Sequence, residues 1–280
     1  MSSYDGFARV YDTFMDNVPY SEWAGFLKTV LEEFGICGKE NRQEKPLDLL
    51  EQERHEILDL GCGTGTLTEM LSEAGYDMIG VDSSEEMLEI AMEKREKSGR
   101  DILYLCQDMR NLELYGTVGA AVSVCDTLNY LLQEEEVVSV FSLVNNYLYP
   151  GGIFIFDFNT VYKYQEIIGD VTIAENREEC SFIWENFYHR EEEINEYDLT
   201  IFVKDKVSDT ETPENLYDCY RKYQETHYQR GYTLKQMICF TEKAGLQFVK
   251  AMDADTHGEV TEQSERIYVI ARECRKQKKG

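Results

Sequence analysis

The nine residues Ile57-Leu58-Asp59-Leu60-Gly61-Cys62-Gly63-Thr64-Gly65 carry more structural information than any other stretch of this chain. A short apolar run contains an acid and passes into three glycines at alternate positions. Leu67, Met70 and Leu71 then fall on one face of the helix that follows. Glycine is needed where the backbone turns sharply against a ligand, because a Cβ would stand in the way. The dinucleotide-binding fingerprint spaces its glycines as GxGxxG. This loop reads GxGxG and puts Thr66 where that fingerprint wants Gly or Ala. An acid just ahead of the glycines suits a cationic ligand better than a pyrophosphate.

Outward from this loop, strands alternate with helices. Ile57–Leu60 reads as a strand, Thr66–Ala74 as a helix stopped by Gly75, and Met78–Val81 as a second strand. Ser83 and Glu86 form a capping box that opens a helix through Met87, Ile90 and Ala91. Ile102–Cys106, Ala120–Cys125 and Ile153–Phe158 give three more strands. A helix over Val137–Leu148 and a turn at Pro150-Gly151-Gly152 precede the last of them. Toward the N-terminus, Trp23, Phe26, Leu27, Val30, Leu31 and Phe34 recur at helical spacing, and Gly35 reads as a C-cap. Residues 38 to 54 are polar and read as a connector. This alternation gives an α/β fold with a parallel sheet covered on both faces.

The period changes beyond the fifth strand. Phe182, Trp184 and Phe187, then Tyr197, Leu199, Ile201 and Val203, then Tyr217, Cys219 and Tyr223 form period-two runs. They predict three antiparallel strands, separated by the acidic turn Glu191–Glu193 and the polar loop Asp205–Asn215. Thr233 and Gln236 then cap a helix to Lys243, ended by Gly245, and Phe248–Ala251 and Ile267–Ala271 are the last two strands.

A chain of 280 residues holds one large domain, or one domain with an elaborate insertion. No apolar run approaches the about 18 residues of a membrane span, and no N-terminal hydrophobic region marks secretion. The eight cysteines are scattered without a CxxC or a Cys/His cluster, which fits a reducing cytoplasm. Neither structural zinc nor a catalytic metal is expected. The formal charge of −26 repels phosphate backbones, so nucleic acid is not an expected partner. The basic stretch Arg272–Lys279 reads as a solvated tail. A cationic or neutral small molecule fits this field best, no membrane partner is expected, and monomer and homodimer both stay open.

The Asp59–Gly65 segment resembles motif I of the class I S-adenosylmethionine (SAM)-dependent methyltransferases. The resemblance covers residues 55 to 160 and 232 to 273. It implies a Rossmann-like seven-stranded sheet ordered 3-2-1-4-5-7-6 with the last strand antiparallel. Residues 1–160 and 232–280 then form the SAM-binding core with an N-terminal helical cover. Residues 161–231 form a β-rich insertion over the active site, as in small-molecule members. SAM is the implied cofactor and S-adenosylhomocysteine (SAH) the product. The resemblance sets the backbones of Gly61, Cys62, Gly63 and Gly65 against the methionine part, with Asp59 shaping the loop and complementing the ligand's positive charge. Asp82, 21 residues after Gly61, ends the second strand where a carboxylate accepts both ribose hydroxyls, a geometry shared with NAD sites. Ser83 and Met87 follow it on the cofactor side. Asp108 is implied to take the adenine amino group and Met109 a ring nitrogen through its N–H. Cys125 and Asp126 end the fourth strand against the methyl-transfer pocket. Cys125 reads equally as a packing residue, and Asp126 stays open between cofactor contact, substrate contact and capping. Tyr4, Phe7, Ala8, Tyr11 and Asp12 resemble the opening of a subgroup whose first helix folds over the pocket, with Tyr4 and Tyr11 on the cofactor. Docking of an amphipathic helix explains them as well.

Methyl transfer is an in-line displacement in which positioning carries much of the catalysis, and a base is needed only for a protonated nucleophile. His227, in Glu225-Thr226-His227-Tyr228-Gln229-Arg230-Gly231-Tyr232, is the candidate base. A strand histidine held for structure is the competing reading. Tyr130 and Trp184 are candidate substrate contacts. Arg230 is a candidate clamp for a substrate carboxylate, unless it pairs with one of the many acids. The expected function is methyl transfer to nitrogen or oxygen of a small molecule. RNA or protein methylation, and SAM binding without turnover, remain the alternatives.

Overall fold

The computed structural model describes residues 7–16, 18–36, 53–204 and 219–276. Tyr4, Tyr217 and the Asp205–Asn215 loop lie outside the described residues. Helices α1 (Phe7–Phe14) and α2 (Tyr20–Phe34) lead into β1 (Glu56–Leu60), α3 (Thr66–Glu73), β2 (Asp77–Asp82), α4 (Glu85–Ser98) and β3 (Ile102–Cys106). Then come β4 (Val118–Ser123), α5 (Glu134–Tyr147) and β5 (Leu148–Asn159). The insertion carries β6 (Val171–Asn176), β7 (Cys180–His189), β8 (Ile194–Lys204) and β9 (Tyr220–Arg230). The chain closes with α6 (Leu234–Lys243), β10 (Leu246–Asp253) and β11 (Arg266–Glu273).

The main sheet has seven strands in the order β10-β11-β5-β4-β1-β2-β3. With β10 and β11 as the sixth and seventh core strands, this is the expected 3-2-1-4-5-7-6 sheet. β11 runs antiparallel to both neighbours, and β1 to β5 pair in parallel. Strand alternation splits the core into two layers. Leu58, Leu60 and Phe156 pack on α5 and α6, while Ile57, Leu67, Leu71 and Ile155 pack with Leu27 and Leu31 of α2. The switch point therefore lies beyond the carboxyl ends of β1 and β4, where order reverses and a crevice opens. The insertion is a separate antiparallel sheet, β6-β7-β8-β9. Val10 and Phe14 of α1 pack against its Tyr197, Leu199, Ile201 and Phe182, so α1 and this sheet cover the crevice together.

Several local expectations are corrected. The insertion has four strands, not three. β6 escaped notice because its residues are mostly exposed and only Val171 and Ile173 are large apolar groups. The cap of α4 is Ser84 rather than Ser83: the Ser84 hydroxyl accepts from the Met87 N–H and donates to Glu86. β4 stops at Ser123, since Cys125 (φ 66°) and Asp126 (φ 53°) adopt left-handed backbone incompatible with a strand. α5 begins at Glu134, three residues before its first apolar position, fixed by a Gln133/Glu136 capping box. Pro150-Gly151-Gly152 is a bulge inside β5, not a turn before it, with Gly151 left-handed at φ 81°. Gly35 ends α2 in extended rather than left-handed conformation.

Candidate active site

A cavity of about 560 Å³ fills the crevice between the glycine loop, α1 and the inner face of the insertion sheet. Of the residues singled out from sequence, Tyr11, Gly61, Gly63, Asp82, Ser83, Met87, Asp108, Met109, Cys125, Asp126, Tyr130, Trp184 and His227 line it. Asp59, Cys62, Gly65 and Arg230 do not line it.

The loop after β1 folds back on Val81, whose carbonyl accepts from both Gly61 and Cys62. Gly63 sits at φ 54° and a Cβ there would meet nothing within 4 Å, so its missing side chain leaves the cavity open. At Gly61 (φ 80°) a Cβ would overlap Thr127, and at Gly65 (φ 73°) it would overlap the Tyr104 hydroxyl. Those two glycines serve packing within the protein. The Asp82 carboxylate accepts from Gly63 N–H at 2.8 Å and Ser84 N–H at 2.9 Å, which ties loop to strand end. Burial raises its pKa from the ordinary aspartate value, with the backbone N–H bonds working in the opposite direction. Each oxygen keeps further lone-pair capacity toward the cavity. Asp59 is 2% exposed and accepts from the Thr68 hydroxyl of α3 at 2.6 Å. Burial pushes its pKa up to about 6, with the Thr68 bond working in the opposite direction. Asp59 thus braces the loop from behind. The half-buried Cys62 thiol points at the Gly63 carbonyl.

At the far end, Asp108 is gripped by Arg110 through Nε and Nη2, and this hydrogen bonding lowers its pKa. Arg110 is held in turn by Glu136 at 3.0 Å.

The left-handed pair Cys125-Asp126 is pinned by a buried acid that sequence reading passed over. The Asp157 carboxylate, fully buried on β5, accepts from Cys125 N–H at 3.0 Å and Asp126 N–H at 2.9 Å. Arg266 of β11 lies 3.7 Å from Asp157 and 3.2 Å from Asp126, and Gln229 donates to Asp126 at 2.7 Å. An acid inside the apolar run Ile153–Phe158 was the available signal, because charge is rarely buried without a partner. Burial pushes the Cys125 thiol up to about 12, followed by repulsion from Asp126, so it stays protonated at neutral pH.

Helix α1 is fastened on both sides. Asp12 accepts from the Thr64 hydroxyl at 2.7 Å and pairs with Lys94 of α4 at 2.6 Å. On the insertion side, Phe14 meets Phe182 edge-on at 4.8 Å and Asp16 pairs with Arg177 at 2.7 Å. Burial raises the pKa of Tyr11, with lesser repulsion from Cys125, so its phenol stays protonated.

Residues 225, 227 and 229 alternate onto the inner face of β9. The His227 ring stacks on Tyr197 at 4.7 Å, and Trp184 packs on the other side of Tyr197 at 4.5 Å. His227 Nδ1 lies 3.3 Å from the Tyr130 hydroxyl and Nε2 3.1 Å from Glu225. Arg230 points the other way: it donates to the Leu132 carbonyl at 3.1 Å and faces Glu193 at 3.4 Å and Glu134 at 3.8 Å. Of the two readings of Arg230, the structure places it in ion pairs and off the cavity.

Residues 57–152 match a family model described as a methyltransferase domain. The chain is 33% identical over 273 residues to the methyltransferase-type protein YqeM of Bacillus subtilis (strain 168), covering 97% of this chain and 98% of that one. A SAM-dependent methyltransferase from Clostridium acetobutylicum ATCC 824 superposes with a TM-score of 0.78 at 25% identity, covering 98% of this chain and all of its own. The CcbJ methyltransferase from Streptomyces caelestis shares the fold, with a TM-score of 0.72 at 17% identity over 98% of both chains. The chain belongs to the class I SAM-dependent methyltransferases.

Proposed function

We propose that the chain transfers a methyl group from SAM to nitrogen or oxygen of a small molecule held beneath the insertion sheet. The observation that carries this reading is the lining of the switch-point cavity. One end is glycine loop and carboxylates, and the other is a wall of Phe14, Phe182, Trp184, Tyr197 and His227. The open cradle at Gly63 fits the methionine part, with Asp82 on the ribose hydroxyls and Asp108 and Met109 at the adenine. Tyr11 covers the cofactor, and Cys125 and Asp126 border the transfer point. SAM when bound supplies a methyl group already activated on a sulfonium.

The aromatic wall has no lysine or arginine among its described residues. Arg110 is occupied at the far end by Asp108 and Glu136, and Arg266 lies behind Asp126 and Asp157. An anionic acceptor finds no counter-charge there, whereas a neutral or cationic one with an apolar body does not need one. The formal charge of −26 disfavours a polyanionic acceptor for the same reason. The insertion over 161–231 acts as the acceptor's cover, and His227 is the nearest candidate base. The test is SAH formation from SAM with a panel of phenols, alcohols and amines, set beside matched carboxylic acids and bulk RNA. Turnover confined to the neutral and cationic members is expected. Turnover with RNA or the acids alone would overturn the reading.

A further inference from the structure

Side chains from five separate segments close a ring of hydrogen bonds where the insertion leaves the core. Asp126 stands in the turn after β4, Gln229 on β9, Tyr164 in the π-helical turn Lys163–Ile168, Asn159 at the end of β5 and Arg266 at the start of β11. A carboxylate only accepts, so Gln229 presents its NH₂ to Asp126 Oδ2 at 2.7 Å and its carbonyl to Tyr164. The Tyr164 hydroxyl then donates to Gln229 at 2.9 Å and accepts from Asn159 Nδ2 at 3.1 Å. Asn159 Oδ1 accepts from Arg266 Nε at 3.2 Å, and Arg266 Nη2 closes the ring on Asp126 Oδ1 at 3.2 Å. Tyr164, Asn159 and Gln229 are buried. Of these residues it is Asp126 that lines the cavity, its side chain 23% exposed.

Two of the roughly four acceptor positions of this carboxylate are thus taken, one by the insertion and one by the core. A proton on Asp126 would meet two donors and no acceptor in the ring, so the group is built as a fixed negative charge and not as a base. Arg266 divides its charge between Asp126 and the fully buried Asp157. Lys163 adds a cation behind the ring, but it donates to Asn159 Oδ1 at 3.1 Å and lines no part of the cavity. What the cavity meets here is the acid.

We propose that Asp126 is the counter-ion of the transfer step and that the acceptor is an amine, with Gln229 the residue that positions Asp126 from the insertion. This rests on the methyltransferase reading of the cavity. The lone pair of the amine nitrogen forms the bond to the methyl carbon, and the pair of the broken C–S bond returns to sulfur. Positive charge passes from sulfur to the nitrogen, which keeps its proton and leaves as an ammonium that later loses it to solvent. The Asp126 carboxylate complements that charge as it develops. A hydroxyl acceptor would have to shed its proton, and Asp126 offers no place for it.

SAH together with an ammonium ion reproduces the product side of this step without a known acceptor. Ligand-detected NMR titration of SAH-saturated protein with benzylammonium, benzyl alcohol and benzoate measures it, the benzyl ring suiting the aromatic wall. The wild type should hold benzylammonium tighter than benzyl alcohol by about tenfold or more, the order of a hydrogen bond to a charged group, and benzoate most weakly. The ratio of affinities is the readout, because a general loosening of the cavity weakens all three probes together. Asp126→Asn keeps the left-handed turn, which asparagine tolerates, and should bring the ratio of ammonium to alcohol to within about twofold of unity. Gln229→Leu should lower that ratio on its own and leave it unchanged when Asp126→Asn is already present, since it acts through Asp126. A wild type that holds benzylammonium no tighter than benzyl alcohol, or does not hold it at all, would overturn the proposal, as would a preference that survives Asp126→Asn. A Gln229→Leu effect undiminished by Asp126→Asn would overturn the positioning role. Failure of the wild type to bind SAH would count instead against the cofactor site, and the probe ratio is then read on the unliganded protein.

Discussion

Replacing Gly63 by valine separates backbone strain from ligand exclusion. The protein itself does not resist the new side chain, because a Cβ at Gly63 meets nothing within 4 Å. What remains for the fold is the left-handed conformation at φ 54°, which costs a side-chain-bearing residue about 1–2 kcal/mol. For a chain this large, that lowers Tm by roughly 2 to 8 °C. The valine methyl groups project into the cavity against whatever lies on the loop, and overpacking of this kind costs about 1–3 kcal/mol. Against a micromolar affinity worth about −8 kcal/mol, that weakens SAH binding by roughly five- to 150-fold. Gly75→Val is the control: it is left-handed at φ 98°, equally open, and follows α3 away from the cavity. Thermal unfolding and calorimetric titration of both variants read the two effects apart. Comparable Tm losses with an SAH defect only in Gly63→Val are expected. An SAH affinity for Gly63→Val within threefold of wild type would refute the reasoning.

Asp59→Asn tests the buried brace. The Asp59 carboxyl ionises near 6 in the fold and near 4 when unfolded, so the folded chain binds the extra proton between these values. Its contribution therefore falls as pH rises from about 4 to about 6 and stays low above. The asparagine variant should lose that part of the pH dependence, seen in urea unfolding at pH 4.5 and 7.5; an unchanged difference between the two would contradict it. Asp157→Ala should cost about 2–4 kcal/mol, since the Cys125 and Asp126 N–H groups lose their acceptor oxygens while Arg266 keeps Asp126 as its partner; a loss under about 1 kcal/mol in the same assay would show the turn holds itself. Asp12→Ala should release α1 from Thr64 and Lys94 and speed SAH dissociation in stopped flow with Tm little changed. An unaltered dissociation rate would mean α1 does not gate the cofactor.

The sheet was legible because hydrophobic strands alternating with capped helices admit few topologies, and the glycine loop marked which end carries the ligand. Gly63, Asp82, Asp108 and Asp126 line the cavity because all four sit at strand ends that the alternation had located. The acceptor side was less legible. β6 is short and exposed, so period-two reading had little to detect. Glu225 and Gln229 share the inner face with His227, yet an acid beside a histidine in a chain with 54 acids draws no attention until burial is known. Asp157 and Arg266 lie more than a hundred residues apart and meet only because β5 and β11 pair. The left-handed Cys125-Asp126 turn had no glycine to announce it, because its strain is offset by tertiary hydrogen bonds rather than by local sequence.

The central claim is that the switch-point cavity is built for SAM and closed to a dinucleotide. Calorimetric titration of folded, ligand-stripped protein with SAH, and separately with NAD, addresses it without an acceptor. One SAH per chain at micromolar affinity, about −8 kcal/mol, with no heat from NAD, is the result the account predicts. No SAH binding, or NAD binding of equal strength, would contradict it.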